Sequence, residues 1–343
     1  MSLSLKPVLA RLGQGECLDR AEAEAAFGVI MDGAATPAQI GGLLMAMRAR
    51  GETVAELTGA VTALRGRMTR ITAPDHAIDV CGTGGDGAAS VNISTAVTFV
   101  LAACGLPVAK HGNKALSSRA GGADVLAVLG VEIEPPMARL SAILAQAGCV
   151  FLFAPRHHPA LRHAAQVRVE LGTRTLFNLT GPLANPAGVK RQLVGVYDPA
   201  WCRPVAETLR DLGARAAWVV HGGGFDELVL DAENHVAALQ DGAVRCFTLT
   251  AADAGLPPVP RTALQGGDAS YNAAALRALL AGEKSGYRDT VLFNAAAALV
   301  MAEAVSTLPE GVARAAGVID DGAAAAVLER LIAISGPRAQ ERG

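Results

Sequence analysis

Aromatic side chains are scarce in this chain, and net charge is nearly absent. Phe, Trp and Tyr make up 4% of the residues, so a core has to be built from small and branched side chains meeting at many close helix contacts. The formal net charge is −2. No global basic field exists to draw nucleic acid or an anionic lipid surface, so anions must be bound locally, and neither nucleic acid nor a membrane is expected as a partner. Long hydrophobic runs are missing too. The most apolar stretch, residues 97–109, is interrupted by Gly105 and Pro107 and is too short to span a bilayer. The first twelve residues carry Lys6 and Arg11 and no continuous apolar segment of the signal-peptide kind. Six cysteines (Cys17, Cys81, Cys104, Cys149, Cys202 and Cys246) form no CxxC pair and no zinc spacing. Several sit in apolar runs, which points to buried reduced thiols and a cytoplasmic protein. His157, His158 and His163 are near one another, but no two stand four apart on a helix face, so they are not read as metal ligands.

What is present is apolar for 51% of 343 residues, long for a single core, so two domains are expected. The first seventy residues predict helices only. Asp19 with Glu22 reads as a capping pair before the run 21–31. Thr36, Pro37 and Gln39 form a stronger start, and that helix ends near Gly51. Thr53 with Glu56 opens another, with Ala55, Leu57, Val61 and Leu64 on one face. Beyond residue 75 short strands are expected at 77–81, 107–109, 149–153, 192–197 and 216–220. Helices are expected at 99–104, 123–129 and 159–171, with another between the last two strands. Such alternation implies a mainly parallel sheet with helices on its faces. Residues 236–249 read as a hairpin around Asp241-Gly242, and the tail from Tyr287 as helical. The expected fold is α/β. A small all-helical N-terminal domain, residues 1–70 joined by helices around 160–185, packs on a larger α/β domain, residues 75–343, with a mainly parallel sheet flanked by helices.

Five segments carry chemistry. The first, Asp79 to Gly87, sets four glycines within six residues after a strand. Glycine lets successive backbone N–H groups turn toward one point, a nest for an oxyanion. An ordinary tight turn is the competing reading. Neither the Walker loop nor the dinucleotide fingerprint fits its spacing. The second, Ser90 to Thr95, opens a helix. Hydroxyls and free N–H groups there suit phosphate, and Ser94 suits a cation, while capping by Asn92 and Ser94 is the plainer alternative. The third, Lys110 to Ser118, leaves the carboxyl end of a strand, where open α/β sheets bind ligands. A solvated polar loop competes. The fourth, Asp226-Glu227, offers hard oxygen ligands for Mg²⁺, although an isolated acidic pair is more often a solvated turn. The fifth runs from Val167 to Asn178 and on through Gly181-Pro182-Leu183-Ala184-Asn185-Pro186, read as a structured loop. Arg168 in it can grip a carboxylate bidentately, against the alternative of an ion pair with Glu170.

In order and spacing these segments resemble the anthranilate phosphoribosyltransferase family, across nearly the whole chain. The family pattern is a GTGGD loop, an NxST helix start, a KHGN loop, a VRxxLGxRTxFN–GPLxNP stretch and a late DE pair. The resemblance implies transfer of the phosphoribosyl group from phosphoribosyl pyrophosphate to the amine of anthranilate, with Mg²⁺, in tryptophan biosynthesis. It implies that Gly82, Gly85, Asp86, Ser90, Asn92, Ile93, Ser94, Thr95, Lys110, His111, Gly112, Asn113, Lys114, Ala115, Leu116, Ser117, Ser118 and Gly122 hold the donor. Ser94, Asp226 and Glu227 would ligate the metal. Gly82, Asn113, His158 and Arg168 would bind anthranilate. His111 is a candidate acceptor for the amine proton, with an ordinary loop histidine as the competing reading. A homodimer through the helical domain is also implied. Lys114, Ser90, Phe225 and the run Arg119 to Gly122 depart from the family's usual residues. A pyrimidine nucleoside phosphorylase of the same fold, which needs no diphosphate clamp, and a nucleic-acid-binding relative are the rival expectations.

Overall fold

The computed structural model of the protein describes residues 4–114 and 119–336, so Ala115, Leu116, Ser117 and Ser118 of the expected donor loop lie outside the described residues. Four helices come first, α1 (Leu5–Gly13), α2 (Arg20–Met31), α3 (Pro37–Arg50) and α4 (Val54–Arg65). The capping signals act as read: Asp19 with Glu22, Thr36 with Gln39 and Thr53 with Glu56 each close a reciprocal box. The alternating part follows as β1 (Ile78–Gly82), α5 (Ile93–Ala103), β2 (Val108–Gly112), α6 (Gly122–Val128), α7 (Leu140–Ala147), β3 (Cys149–Phe153), α8 (Ala154–His157), α9 (Arg162–Leu171) and α10 (Phe177–Leu183). Next come β4 (Arg191–Gly195), α11 (Cys202–Asp211), β5 (Ala216–Gly222), β6 (Asn234–Gln240) and β7 (Ala243–Leu249). The chain closes with α12 (Ala269–Leu280), α13 (Gly286–Met301), α14 (Leu308–Asp320) and α15 (Ala323–Ser335).

The seven strands form one sheet in the order β3-β2-β1-β4-β5-β6-β7. The pairs from β3 to β5 are parallel and the hairpin β6–β7 adds antiparallel strands at one edge. The order reverses between β1 and β4, so connections leave these neighbours in opposite directions and open a crevice at their carboxyl ends. Alternation fixes the two faces. Ala216, Trp218 and Val220 of β5 point into a core shared with α5, α13 and α15. Ala217 and Val219 point into a second core continuous with α2, α3, α4, α9, α10 and α11. Helices α9, α10 and α11 pack against the N-terminal helices on that side.

Three local readings change. The helix expected from Phe99 begins at Ile93, because Ser94 and Thr95 belong to its first turn. The expected 159–171 helix splits into a 3-10 turn and α9. Gly181-Pro182-Leu183, read as loop, ends α10, where Pro182 is tolerated in so short a helix, and only Ala184 to Lys190 is irregular. Four cysteines are buried, whereas Cys17 and Cys246 are exposed.

Glu56 organises the helical domain from within. Its fully buried carboxylate accepts from the N–H of Leu18 at 3.0 Å and of Thr53 at 2.9 Å, and pairs with Arg50. Removing it strands a partly buried guanidinium and two amides. Glu56→Ala is expected to cost roughly 3 kcal/mol, seen as a lowered Tm by calorimetry, with Glu56→Gln losing less.

Candidate active site

Beyond Gly82 the backbone of the first glycine loop turns left-handed at Gly84 and Gly85, φ +66° and +73°, a conformation that a side chain would oppose. The Gly84 N–H donates to Asp226 Oδ2 at 2.7 Å. Asp86 closes the loop, accepting from the Ala88 N–H at 3.1 Å. Arg174, between α9 and α10, donates to the Gly85 carbonyl while its guanidinium lies 4.3 Å from the centre of the Tyr197 ring. Asn92 does not cap α5. Its side chain donates to the Ala120 carbonyl at 3.2 Å and accepts from Asn272 at 2.9 Å. The free first turn of α5 meets an acid instead, with the Ser94 N–H donating to Glu227 Oε1 at 3.1 Å.

The Lys110 ammonium is buried against the sheet, donating to the Val80 carbonyl at 2.7 Å and Ser94 Oγ at 3.1 Å. Beneath it Asp79 is fully buried. Its carboxylate accepts from the His111 N–H at 3.1 Å and from Asn185 Nδ2 at 2.7 Å, tying β1, β2 and the segment after α10 together. Burial pushes Asp79 upward, and Lys110 opposes that shift.

Asp226 and Glu227 occupy the switch point itself. A β-carbon on Gly195, at the end of β4, would lie 1.5 Å from the Asp226 carbonyl oxygen, and one on Gly82 would lie 2.2 Å from Asp226 Oδ2. The acids therefore enter a slot that exists only because β1 and β4 both end in glycine. From α13, Asn294 grips the next residue, accepting from the Leu228 N–H at 3.0 Å and donating to its carbonyl at 2.9 Å. Desolvation raises both carboxyls well above the ordinary range. Asp86 adds to the shift of Asp226, Asp226 adds to that of Glu227, and Lys110 offsets the latter.

These parts wall one cavity of about 320 Å³. Of the expected residues, Gly82, Gly85, Asp86, Ser90, Asn92, Ile93, Ser94, Thr95, Lys110, His111, Gly112, Asn113, Lys114, Gly122, Asp226 and Glu227 line it. So do Phe151 and Asn178, to which the sequence assigned no role. Arg168 and His158 are not on its wall. Arg168 stands near the end of α9, its guanidinium 5.6 Å from the centre of the Phe177 ring, beside cavity-lining Asn178. No ion pair with Glu170 forms. Glu170 accepts from Gln166, and among the described residues Arg168 has no acidic partner. His158 touches the cavity only through His111, their Nε2 atoms 3.2 Å apart. Asp79, Arg174 and Asn185 lie in segments singled out from the sequence but were given no individual role there, and Asn294 lies outside all of them: each acts through hydrogen bonds to residues distant in sequence.

No group of three or more His, Cys, Asp or Glu side chains among the described residues is arranged to hold a metal unaided. Two half-buried hard-oxygen donors facing a polar cavity fit a different arrangement. Mg²⁺ is held by one or two carboxylates and completed by substrate phosphates and water.

Two family models divide the chain: the helical bundle domain of the glycosyl transferase family matches residues 6–68, and its a/b domain residues 74–325. A relative from Afipia carboxidovorans, an anthranilate phosphoribosyltransferase, is 56% identical over 331 residues, covering 96% of this chain and 98% of its own. The chain belongs to the anthranilate phosphoribosyltransferase family. A second family member, from Rhodopseudomonas palustris strain BisA53, is 53% identical over 97% of this chain and 98% of its own. The crystal structure of the family's enzyme from Thermus thermophilus superposes with a TM-score of 0.91 at 43% identity, over 95% of this chain and 98% of that one. The Saccharomyces cerevisiae enzyme, in complex with PRPP and Mg, shares the fold at a TM-score of 0.86 and 24% identity, over 97% and 98% of the two chains.

Gly195→Ala is expected to expel Asp226 from its slot and to abolish magnesium-dependent stabilisation while leaving the far-ultraviolet dichroism unchanged. A thermal-shift titration with MgCl₂ and pyrophosphate checks this. The raised carboxyls have a second consequence. Their folded pKa values exceed the unfolded ones, so stability is fully present below the unfolded pKa and is lost as pH rises through the folded values. The metal-free protein should therefore melt at a lower temperature at pH 8 than at pH 5.5. In a pH series of melting curves, Mg²⁺ should raise Tm more at the higher pH.

Proposed function

We propose that this chain catalyses the transfer of the 5-phosphoribosyl group from phosphoribosyl pyrophosphate to the amine of anthranilate. The bond from the anomeric carbon to the pyrophosphate oxygen breaks, a carbon–nitrogen bond forms, and pyrophosphate and one proton leave. The observation that carries this is the direct contact of the glycine loop with the late acidic pair, Gly84 N–H on Asp226 Oδ2, in a single cavity. A nest for phosphate and ligands for a cation converge there, which is what a diphosphorylated sugar requires.

Within that site the first turn of α5, with Ser94 and Thr95, and the loop from Lys110 to Lys114 hold the phosphates. Exposed N–H groups and the Lys110 charge match their oxygens. Asp226 and Glu227, with Ser94, would hold Mg²⁺, which when bound supplies positive charge to the diphosphate. Acidic groups kept close together by burial, with Lys110 as counter-charge, favour such a cation. Arg168 supplies the grip on the acceptor's carboxylate, since a half-buried guanidinium without an acidic partner is poised for one. Burial lowers its pKa, the cost that a bound carboxylate would offset. The aromatic amine is already neutral at pH 7, so positioning and electrostatics carry most of the catalysis. A homodimer and a cytoplasmic setting complete the reading. The six cysteines, all free, support the latter.

The assay is the loss of anthranilate fluorescence on mixing with phosphoribosyl pyrophosphate and Mg²⁺, and no loss at any protein concentration would overturn the assignment. Arg168→Ala is expected to raise KM for anthranilate at least about tenfold, with KM for the donor within about twofold of wild type. An equal loss for both substrates contradicts the role. Replacing Asp226→Asn and Glu227→Gln together is expected to lower kcat/KM by about 10²–10³ and to shift the magnesium titration upward. Unchanged activity at unchanged Mg²⁺ removes the acids from the site.

A further inference from the structure

We infer that His158 is a positioning residue that fixes the proton arrangement of His111, so that the two rings form one ordered, uncharged unit on the acceptor side of the cavity. The inference rests on the reaction proposed above. It assigns His111 a role other than acceptor of the amine proton.

The geometry leaves one consistent set of hydrogens. His111 ends up almost wholly buried near the end of β2, with its Nδ1 3.1 Å from the Gly181 carbonyl of α10. A carbonyl only accepts, so Nδ1 carries hydrogen. The His111 Nε2 lies 3.2 Å from His158 Nε2, and the ring centres are 5.0 Å apart. Two nitrogens at that distance share a single hydrogen. A neutral His111 has already placed its own on Nδ1, so the shared one belongs to His158. His158 then keeps a bare Nδ1, and that buried atom makes no hydrogen bond among the described residues. The Gly181 carbonyl thus sets the tautomer of His111, and the shared hydrogen sets that of His158.

The surroundings keep the unit uncharged. Both rings are buried, and His158 disfavours charge on His111. Lys110 precedes His111 on β2 and His157 precedes His158, and both oppose a further positive charge. The Gly181 carbonyl favours charge on His111 and the Ala184 carbonyl favours it on His158, each a smaller effect than burial. Asp79 is the acid against this region. Its carboxylate is held by the His111 N–H, Asn185 and Cys81, with Lys110 beside it.

Both His111 nitrogens are thereby consumed inside the protein, and the ring can offer the cavity only its carbon edge. It presents no lone pair to an amine. It also sets no imidazolium against a ribose ring on which positive charge builds, where a like charge would oppose the transfer. The same two hydrogen bonds tie the end of β2 to α10 and to the turn after α8.

Nitrogen-15 NMR of histidine-labelled full-length protein tests the arrangement, with signals assigned through His111→Gln and His158→Gln. The expected spectrum has His111 as the Nδ1–H tautomer and His158 as the Nε2–H tautomer, unchanged from about pH 8 to about pH 6, a range in which an ordinary histidine with pKa about 6.5 titrates. An Nε2–H tautomer at His111, or charge on either ring by pH 6, overturns the inference. The kinetic arm follows kcat and KM for anthranilate at pH 8. His158→Leu removes the donor to His111 Nε2 and should raise KM at least about threefold with kcat within about twofold of wild type, while the His111 signals lose their single-tautomer pattern. His158→Gln, whose amide can still donate, should restore both the KM and the Nδ1–H tautomer. Unchanged KM and an unchanged His111 tautomer in folded His158→Leu overturn the positioning role. If that variant does not fold, the wild-type spectrum and the His158→Gln variant decide the matter alone. An ordered pair in a protein that transfers nothing overturns the proposed reaction instead, and the two failures are told apart.

Discussion

Two neighbouring carboxylates sit half-buried where β1 and β4 part company, and most of the molecule's particular features follow from keeping them there. Burial alone disfavours their charge, and Asp86 adds a third acid nearby. The compensation is built from four directions. Gly84 and Ser94 donate backbone N–H groups, Lys110 brings a buried ammonium, and Asn294 fixes the following peptide from α13. Glycines at the ends of β1 and β4 supply the room. A site so arranged is short of positive charge, and the contact of Gly84 with Asp226 makes the acids and the glycine loop one unit.

The region around Arg168 obeys a different rule. Arg168, His111 and His158 stand where β2, α8, α9 and α10 meet, on the side of the sheet that the helical domain covers. Here the groups are positive or neutral, which suits an anion. The acid against them, Asp79, turns its charge inward to Lys110 and Asn185. Arg174 links the two ends mechanically, since it leaves the segment between α9 and α10 to hold the Gly85 carbonyl of the glycine loop.

Much of this was legible in the sequence. The helix starts at Asp19, Thr36 and Thr53 were readable because capping is a local interaction between residues three apart. The strands at β1, β3 and β5 were readable because their apolar runs are short and bounded by glycine or by helix signals. The glycine loop and the acidic pair were legible as chemistry, since an N–H nest and paired carboxylates are local too. What failed was the helix hidden in a proline-containing segment, α10. The alternative ion pair of Arg168 with Glu170 does not form, because residues two apart on a helix do not face each other.

The sequence by itself determined the class of fold, the set of phosphate-suited loops and the residues able to hold a cation, because each is written in neighbours along the chain. Only the tertiary structure decided that Gly82 and Gly195 make one slot for Asp226, that Asn294 holds the Leu228 peptide just after the acids, and that His158 meets His111. Those contacts join residues scores of positions apart, and their geometry depends on strand order and sheet twist, which no local pattern encodes.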